Sequence, residues 1–206
     1  MLKQALIAST LTAGVIAAGS AQAESIFNYT YVELGFSKSS VQTVIDLDAE
    51  QDNDDYLGPR LEASYEFNIG DADLLQDLYV QGQYSYRTQD QDSIGNEFYD
   101  YRLGFGKALE VYDDADMFFT VGLAGVDSKY VDYDDSAAFA QIGYRTKAEA
   151  VELQLGIGRF FYSDIDDFNL IEIGFLYHIT DNIGVGLDIE NSSEDNNFVA
   201  TARYTF

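Results

Sequence analysis

The sequence predicts an all-β chain that forms a closed antiparallel up-and-down transmembrane β-barrel of about ten strands, with eight strands as the alternative. Two observations carry this prediction. After the first 23 residues, apolar and polar side chains alternate in segments of about ten residues, the length that a tilted strand needs to cross a bilayer. The gaps between these segments alternate between acidic stretches and mostly shorter ones, as the outer loops and inner turns of a barrel do.

The first element is a signal peptide over residues 1–23, which leaves one barrel domain over 24–206. The lone charge of Lys3 precedes the apolar stretch Ala5–Ala18 and a small-residue site, so cleavage is expected after Ala23. A membrane anchor is the alternative, which the short apolar stretch disfavours. No later run reaches about 18 apolar residues, so membrane residence must come from strands.

Composition restricts the classes of partner. The formal net charge is -25, from 11 basic and 36 acidic residues, which disfavours nucleic acid and anionic polymers and favours cations. Cysteine is absent, so disulfides and thiolate metal sites are excluded.

Ten segments alternate with period two: 29–37, 57–67, 77–87, 98–107, 117–127, 137–146, 150–161, 169–179, 182–190 and 197–206. In the eighth, Ile171, Ile173 and Phe175 share one face, and Glu172 lies on the other. A sandwich would bury the apolar face as its core, whereas an outer-membrane barrel turns it towards lipid. Alternation alone leaves both open.

The gaps favour the barrel. One set is acidic and polar, at 38–56, 88–97, 128–136, 162–168 and 191–196. The other set is mostly shorter, near 68–76, 108–116, 147–149 and 180–181. This order predicts that both termini lie in the periplasm, with long loops on the outer side.

Aromatic side chains on the apolar parity predict two girdles, where amphipathic rings lie at the level of the lipid head groups. The expected inner girdle comprises Tyr65, Phe67, Phe105, Tyr144, Tyr177, Tyr204 and Phe206. The expected outer girdle contains Tyr84, Tyr86, Tyr99 and Tyr101. Most glycines fall on the polar parity, which suits a narrow lumen.

Pro59 cannot donate a hydrogen bond to a β-ladder, so we predict a bulge or a strand start there, near the outer rim.

The two ends of the barrel segment carry a resemblance. With its signal peptide, alternating strands and C-terminal aromatic residue, the chain resembles the small Gram-negative outer-membrane barrels of the OmpA/OmpX-like type. The segment Tyr29–Phe36 (YTYVELGF) resembles the first strand of a subgroup of these, once discussed as quorum-sensing-associated outer-membrane proteins. The last strand, with Tyr204 and terminal Phe206, resembles the assembly signal of such barrels. The resemblance implies location in the outer membrane. It also implies that Tyr204 and Phe206 form the signal that the outer-membrane assembly machinery reads. Many members have eight strands, so the count of ten is a departure.

The first acidic gap is a weak calcium candidate, because hard cations bind several carboxylate oxygens. The candidate ligands are Asp46, Asp48, Glu50, Asp52, Asp54 and Asp55. The segment is not an EF-hand, since Gln51 and Leu57 occupy the positions of the required Gly and Glu. The alternative is a solvated acidic loop, and no other cofactor is expected.

The polar parity supplies the candidate lumen: Arg60, Glu62, Arg87, Asp100, Arg102, Arg145, Glu152, Glu172, Asp188 and Arg203. These charges could line a cation-preferring pore or form a salt-bridged plug. We expect the plug, because a barrel of eight to ten strands is only just wide enough for side chains to fill.

The predicted function is non-enzymatic: a plugged barrel, expected to be a monomer, whose acidic loops and surface interact with cations, lipopolysaccharide, outer-membrane lipid or other cells. A small-solute channel is the alternative. A lipid-A-modifying enzyme is a second alternative. It would depend on the single histidine, His178, which the strand order places inward at the periplasmic end, away from the outer leaflet.

Overall fold

The computed structural model describes residues 27–43, 52–70, 75–89, 97–128, 133–163, 167–192 and 195–206. They form ten strands: β1 (Tyr31–Thr43), β2 (Asp52–Phe67), β3 (Leu78–Gln89), β4 (Glu97–Tyr112), β5 (Ala115–Ser128), β6 (Tyr133–Ala148), β7 (Val151–Tyr162), β8 (Phe168–His178), β9 (Ile183–Ser192) and β10 (Asp195–Thr205). Each strand pairs antiparallel with its sequence neighbours, and β1 pairs with β10 to close the barrel. The prediction of about ten strands is confirmed, and the alternative of eight is wrong.

The two ends of the barrel differ. One end carries the residues before β1, the C-terminal Phe206 and the two-residue turns 113–114 and 149–150, and we call it the turn end. The opposite, loop end carries the connections from β1 to β2 and from β3 to β4. The predicted signal peptide, residues 1–23, lies outside the described residues. Among the residues that the structure describes, none forms a helix long and apolar enough to cross a membrane.

Several strands continue past their predicted limits at the loop end. The predicted gap 38–56 in fact contributes residues 38–43 to β1 and 52–56 to β2, paired through Thr43 and Asp52. Hydrophobic alternation stops at the edge of the apolar band, but backbone pairing continues wherever two strands remain adjacent. The sequence pattern therefore marked the membrane-facing part of each strand and missed its polar extension.

The apolar parity faces outward. Leu34 and Leu123 are each 64% exposed, whereas Glu33 is 1% exposed and Arg60 is 4% exposed. This inverts the arrangement of a soluble sandwich, whose apolar face is its core. A chain with apolar exterior and charged interior is suited to a lipid environment.

Pro59 lies within β2 without the predicted bulge. The β1 ladder runs unbroken through the pair Phe36–Pro59. Against β3, pairing lapses after Leu57 and resumes at Arg60 in the same register. The bulge was the wrong expectation, because the missing proline N–H interrupts the ladder locally without requiring an inserted residue. The adjacent Gly58 lets the chains approach closely.

Inward glycines receive the aromatic rings of the lumen. A Cβ on Gly143 would lie 2.0 Å from the ring of Phe118, and one on Gly106 would lie 2.3 Å from that of Tyr79. Rings packed flat against glycine fill space without widening the barrel.

Most predicted girdle residues lie where expected. Tyr84 pairs with Tyr101 and Tyr86 with Tyr99 in the ladder between β3 and β4. At the turn end, outward aromatic side chains include Tyr65, Tyr144, Tyr177, Tyr204 and Phe206. Phe105 is the exception: β4 continues to Tyr112, so Phe105 is exposed in the middle of the strand and not at its end.

Candidate functional site: the barrel lumen

Arg60 is at the centre of a buried network of charges in the lumen. It projects inward from β2, and its guanidinium donates to Glu190 Oε1 at 2.9 Å, to Glu33 Oε1 at 3.1 Å and to Asp188. Glu33 lies on β1, and the other two acids lie on β9. One side chain therefore connects strands across the lumen.

Other arginines extend this network around the wall. Arg203 donates to Glu33 Oε2 at 2.8 Å and to Glu152 Oε1 at 3.2 Å. The guanidinium of Arg145 lies 3.0 Å from the same Glu152 oxygen, as an ion pair without hydrogen-bond geometry. Arg102 donates to Glu190 Oε2 at 3.1 Å. Arginine suits such sites, because it stays charged and its donors form a planar fork.

Neutral donors hold the remaining acids. Glu62 accepts from Tyr31 Oη at 2.5 Å and from Gln81 Nε2 at 3.0 Å. Glu172 accepts from Gln141 Nε2 at 2.9 Å and from Gln154 Nε2 at 2.7 Å. We call Arg60, Arg102, Arg145 and Arg203, with Glu33, Glu62, Glu152, Glu172, Asp188 and Glu190, the ionic cluster. It contains two more acids than arginines.

The space left around the ionic cluster is small. Three cavities adjoin it, each of about 20 Å³; Glu172 lines all three, and Glu62 lines two of them. A void of this size holds about one water molecule.

Aromatic rings fill the turn end of the lumen. Tyr29 stacks on Tyr79 with centroids 4.8 Å apart, and Phe27 and Phe118 belong to the same buried cluster. The guanidinium of Arg145 lies 5.2 Å from the ring centroid of Phe27 and 4.7 Å from that of Tyr29. These contacts place the segment before β1 inside the barrel mouth. The period-two pattern extends over Tyr29 and predicted it as part of the first strand, but β1 begins at Tyr31 and the ring of Tyr29 packs inside the barrel mouth.

His178 also lies at the turn end. Its Nε2 is 3.2 Å from Glu152 Oε2, and the side chain is partly buried. The histidine thus adjoins the ionic cluster at the end opposite to the loops.

A larger cavity, of about 290 Å³, opens at the loop end, and we call it the vestibule. Arg87 lies on one side, bound to Asp100 at 2.7 Å and to Asp195 at 3.0 Å. The other side is aromatic, with near-parallel rings of Phe160, Tyr162 and Phe168 whose centroids are 5.0–6.4 Å apart. This wall was not predicted, although large aromatic residues at positions that otherwise carry polar side chains are a visible signal in the sequence.

All ten residues predicted for the lumen face inward. Arg87 and Asp100 lie together at the vestibule, and the other eight belong to the ionic cluster.

The calcium candidates fall mostly outside the described part of the chain. Asp46, Asp48 and Glu50 are not described, and Asp52 and Asp54 are described only as backbone of β2. Asp55 forms an ion pair with Lys38 at 2.8 Å. Within the described ranges, no group of three or more acidic, histidine or cysteine side chains is placed to hold a metal ion.

Solved structures of bacterial outer-membrane proteins share this fold. An outer-membrane channel from Pseudomonas putida F1 aligns with a TM-score of 0.52 and 7% identity, over 89% of this chain and 97% of the other. Ail, the attachment invasion locus protein of Yersinia pestis, aligns with a TM-score of 0.43 and 13% identity, over 88% and 100%. Salmonella typhi outer-membrane phospholipase aligns with a TM-score of 0.42 and 7% identity, over 95% and 97%.

No protein-family model and no curated protein matches the chain. A shared fold does not by itself select a function. The ten-strand closure, the apolar exterior and the alignment with the Pseudomonas putida channel agree on one architecture. The chain has the fold of an outer-membrane β-barrel, closed by ten antiparallel strands, as its sequence predicts.

Proposed function

We propose that this protein is a non-enzymatic outer-membrane barrel whose lumen is plugged and whose role is exercised at its outer surface. The observation that supports the plug is the ionic cluster, in which buried side chains from opposite walls meet and leave voids of about 20 Å³. A hydrated ion needs a continuous water-filled path, and separate one-water voids do not supply one.

The proposal includes an orientation. Short turns and both described chain ends lie at the turn end, which is the periplasmic side in barrels of this kind. The loop end then faces outward, with its acidic segments and the vestibule. We propose that this face meets cations, lipopolysaccharide or other cells.

Planar-bilayer recording tests the plug. The wild-type barrel is expected to give no stable ohmic steps. The double variant Glu33→Ala/Arg60→Ala removes two facing side chains together, and we expect it to conduct. Lys38→Gln changes an exposed charge outside the lumen and serves as the matched control, expected to be silent. Ohmic steps from correctly folded wild-type protein would refute the plug.

A cation-preferring channel is the second candidate. The two-acid excess of the ionic cluster supports it, because a wall with net negative charge attracts cations. Steady conductance by the wild-type barrel, with reversal potentials that indicate cation preference, would favour this candidate over the plug.

A lipid-modifying enzyme receives less support. His178 adjoins Glu152 at the turn end of the lumen, which in the proposed orientation is remote from the lipid of the outer leaflet. A general base must come within hydrogen-bond reach of its substrate.

A further inference from the structure

A groove runs along the outside of the barrel where β5 to β8 pass side by side. Its volume is about 620 Å³, and its walls are mainly outward-facing side chains. It is separate from the ionic cluster and the vestibule, since it lies on the lipid side of the wall. We call it the lipid-side groove.

Strand register arranges its side chains in two rows. The row nearer the turn end is apolar and consists of Phe119, Ile142, Ile157 and Ile171, which are direct cross-strand partners. The row nearer the loop end consists of Val121, Ala140, Arg159 and Asn169, also direct partners. The polar side chains of Arg159 and Asn169 therefore lie on the loop-end side of the apolar row. The small side chain of Ala140 leaves a depression between Arg159 and Val121.

Arg159 is an unusual residue on this face, because its neighbours on the same parity of β7 are Ile157 and Phe161. It donates to Asp167 at 3.4 Å, and its guanidinium lies 5.6 Å from the ring centroid of Phe161. An arginine has five N–H donors, so most of these donors have no acceptor among the described residues. The guanidinium can therefore bind an anion as well.

The height of Arg159 in the barrel matches the boundary of the outer leaflet. It is the eighth residue after Val151, which begins β7 at the turn end. At about 3.3 Å per residue and a tilt of about 40°, this corresponds to roughly 20 Å, near the top of an apolar band about 25 Å tall. Lipid phosphates lie at this level.

We propose that the lipid-side groove binds one molecule of lipid A, the phosphorylated glycolipid of the outer leaflet. An acyl chain packs across the apolar row, and a phosphate accepts hydrogen bonds from Arg159 and Asn169. Arginine matches phosphate because its fork of donors can engage two oxygens at once. This inference rests on the orientation proposed above, but it does not depend on whether the lumen is plugged.

Native mass spectrometry of the detergent-purified barrel, titrated with bisphosphorylated lipid A, tests the site. The wild-type protein is expected to retain one lipid A. Arg159→Gln removes the phosphate contact, and Ala140→Leu fills the depression while leaving the charge. Each variant is expected to retain lipid A about tenfold more weakly than the wild type. For Arg159→Gln the cause is the loss of one charge-assisted contact, and for Ala140→Leu it is the loss of the apolar surface that fits the lipid.

Two variants provide matched controls. Lys38→Gln removes another exposed cation from the outward parity. Ala200→Leu enlarges an outward alanine of β10, between Phe36 and Leu187 and away from the groove. Both are expected to retain lipid A as the wild type does. Circular dichroism of every variant checks that it is folded.

Three results would overturn the proposal: no lipid A retained by the wild type, retention by Arg159→Gln or Ala140→Leu that equals that of the wild type, or a tenfold loss in the control variants as well. A parallel titration with phosphatidylglycerol tests the proposed orientation of the barrel. If the wild-type protein retained this lipid in preference to lipid A, the groove would lie in the inner leaflet, and the proposal would be wrong. The conductance result bears only on the lumen, so the two proposals can fail separately.

Discussion

Arg60 is the residue on which the proposed plug depends most directly. It contacts three acids and is almost fully buried, so it compensates charges that would otherwise face one another without a cation. Removing one partner from a buried ionic network costs much more than the net contribution of the intact network, because the remaining charges stay desolvated.

The variant Arg60→Met keeps much of the side-chain volume and removes the charge. We expect it to lower the free energy of unfolding by about 3–5 kcal/mol. Urea titration of the barrel in lipid vesicles, followed by circular dichroism, measures the change. Lys38→Gln breaks an exposed ion pair and should cost only about 0–1 kcal/mol. Equal losses in the two variants would show that the ionic cluster has no special energetic role.

The alternation of the sequence predicts which charged residues face inward, but it does not predict which of them form ion pairs. Parity placed Arg60 and Asp188 on the same side of the wall. Their contact joins positions 128 residues apart, and it depends on which strands close the barrel and at what stagger. Phe27 was missed for a similar reason, since no alternation marks a segment that turns into the barrel mouth.

At the scale of the strands, the backbone of β3 lies close to Gly58 of β2, beside Pro59. A Cβ built on Gly58 would lie 1.9 Å from the backbone oxygen of Tyr86. Backbone cannot move aside as a flexible side chain can, so this position requires glycine. Gly82, on the outer face of β3, differs: the nearest atom to its Cβ would be Leu103 Cδ1, at 4.0 Å.

These two glycines form a matched pair of tests. Gly58→Ala must separate the strands and is expected to lower the free energy of unfolding by about 1–3 kcal/mol. Gly82→Ala has open space and should stay within about 0.5 kcal/mol of the wild type. Denaturant titration of both variants measures the difference. Equal stability would contradict the close approach of β2 to β3.

The limits of the strands were only partly predictable. Alternation correctly located the bilayer-facing part of all ten strands. It failed at polar extensions such as the one at Asp52, and at Phe105, which it placed at a strand end. Pairing of the backbone, which hydropathy does not record, determines where a strand stops.

At the scale of the whole molecule, closure depends on the last strand. β10 pairs with both β1 and β9, and the N–H of Phe206 donates to the carbonyl of Thr30 at 3.1 Å. The ring of Phe206 is 66% exposed and contacts Tyr204 edge to face, with centroids 5.0 Å apart. The backbone therefore contributes to closure, while the ring faces outward.

Because the backbone of Phe206 contributes to closure and its ring faces outward, removal of the ring can test a role in assembly apart from a role in stability. Phe206→Ala is expected to change the unfolding free energy by less than about 1 kcal/mol in vitro, because the lost ring is largely exposed. By the resemblance to barrels whose last residue is an assembly signal, the same variant should reduce the amount of folded barrel in cell outer membranes severalfold. Quantitative blotting of outer-membrane fractions measures that amount.

Ile183→Ala is the control for assembly, since Ile183 is another exposed apolar residue at the turn end. It should assemble as the wild type does. Normal amounts of Phe206→Ala in the outer membrane would refute the proposed signal.

The sequence by itself determined which side chains face lipid and which face the lumen, because a period of two fixes the face of every residue once the strand is extended. It also predicted about ten strands, but the structure excluded the alternative of eight. Only the tertiary structure decided that Arg60 meets Glu33, Asp188 and Glu190, that Phe27 enters the barrel mouth, and that Arg159 lies above an apolar row. Those relations depend on strand closure and register, which bring together residues far apart in the chain and which no local pattern encodes.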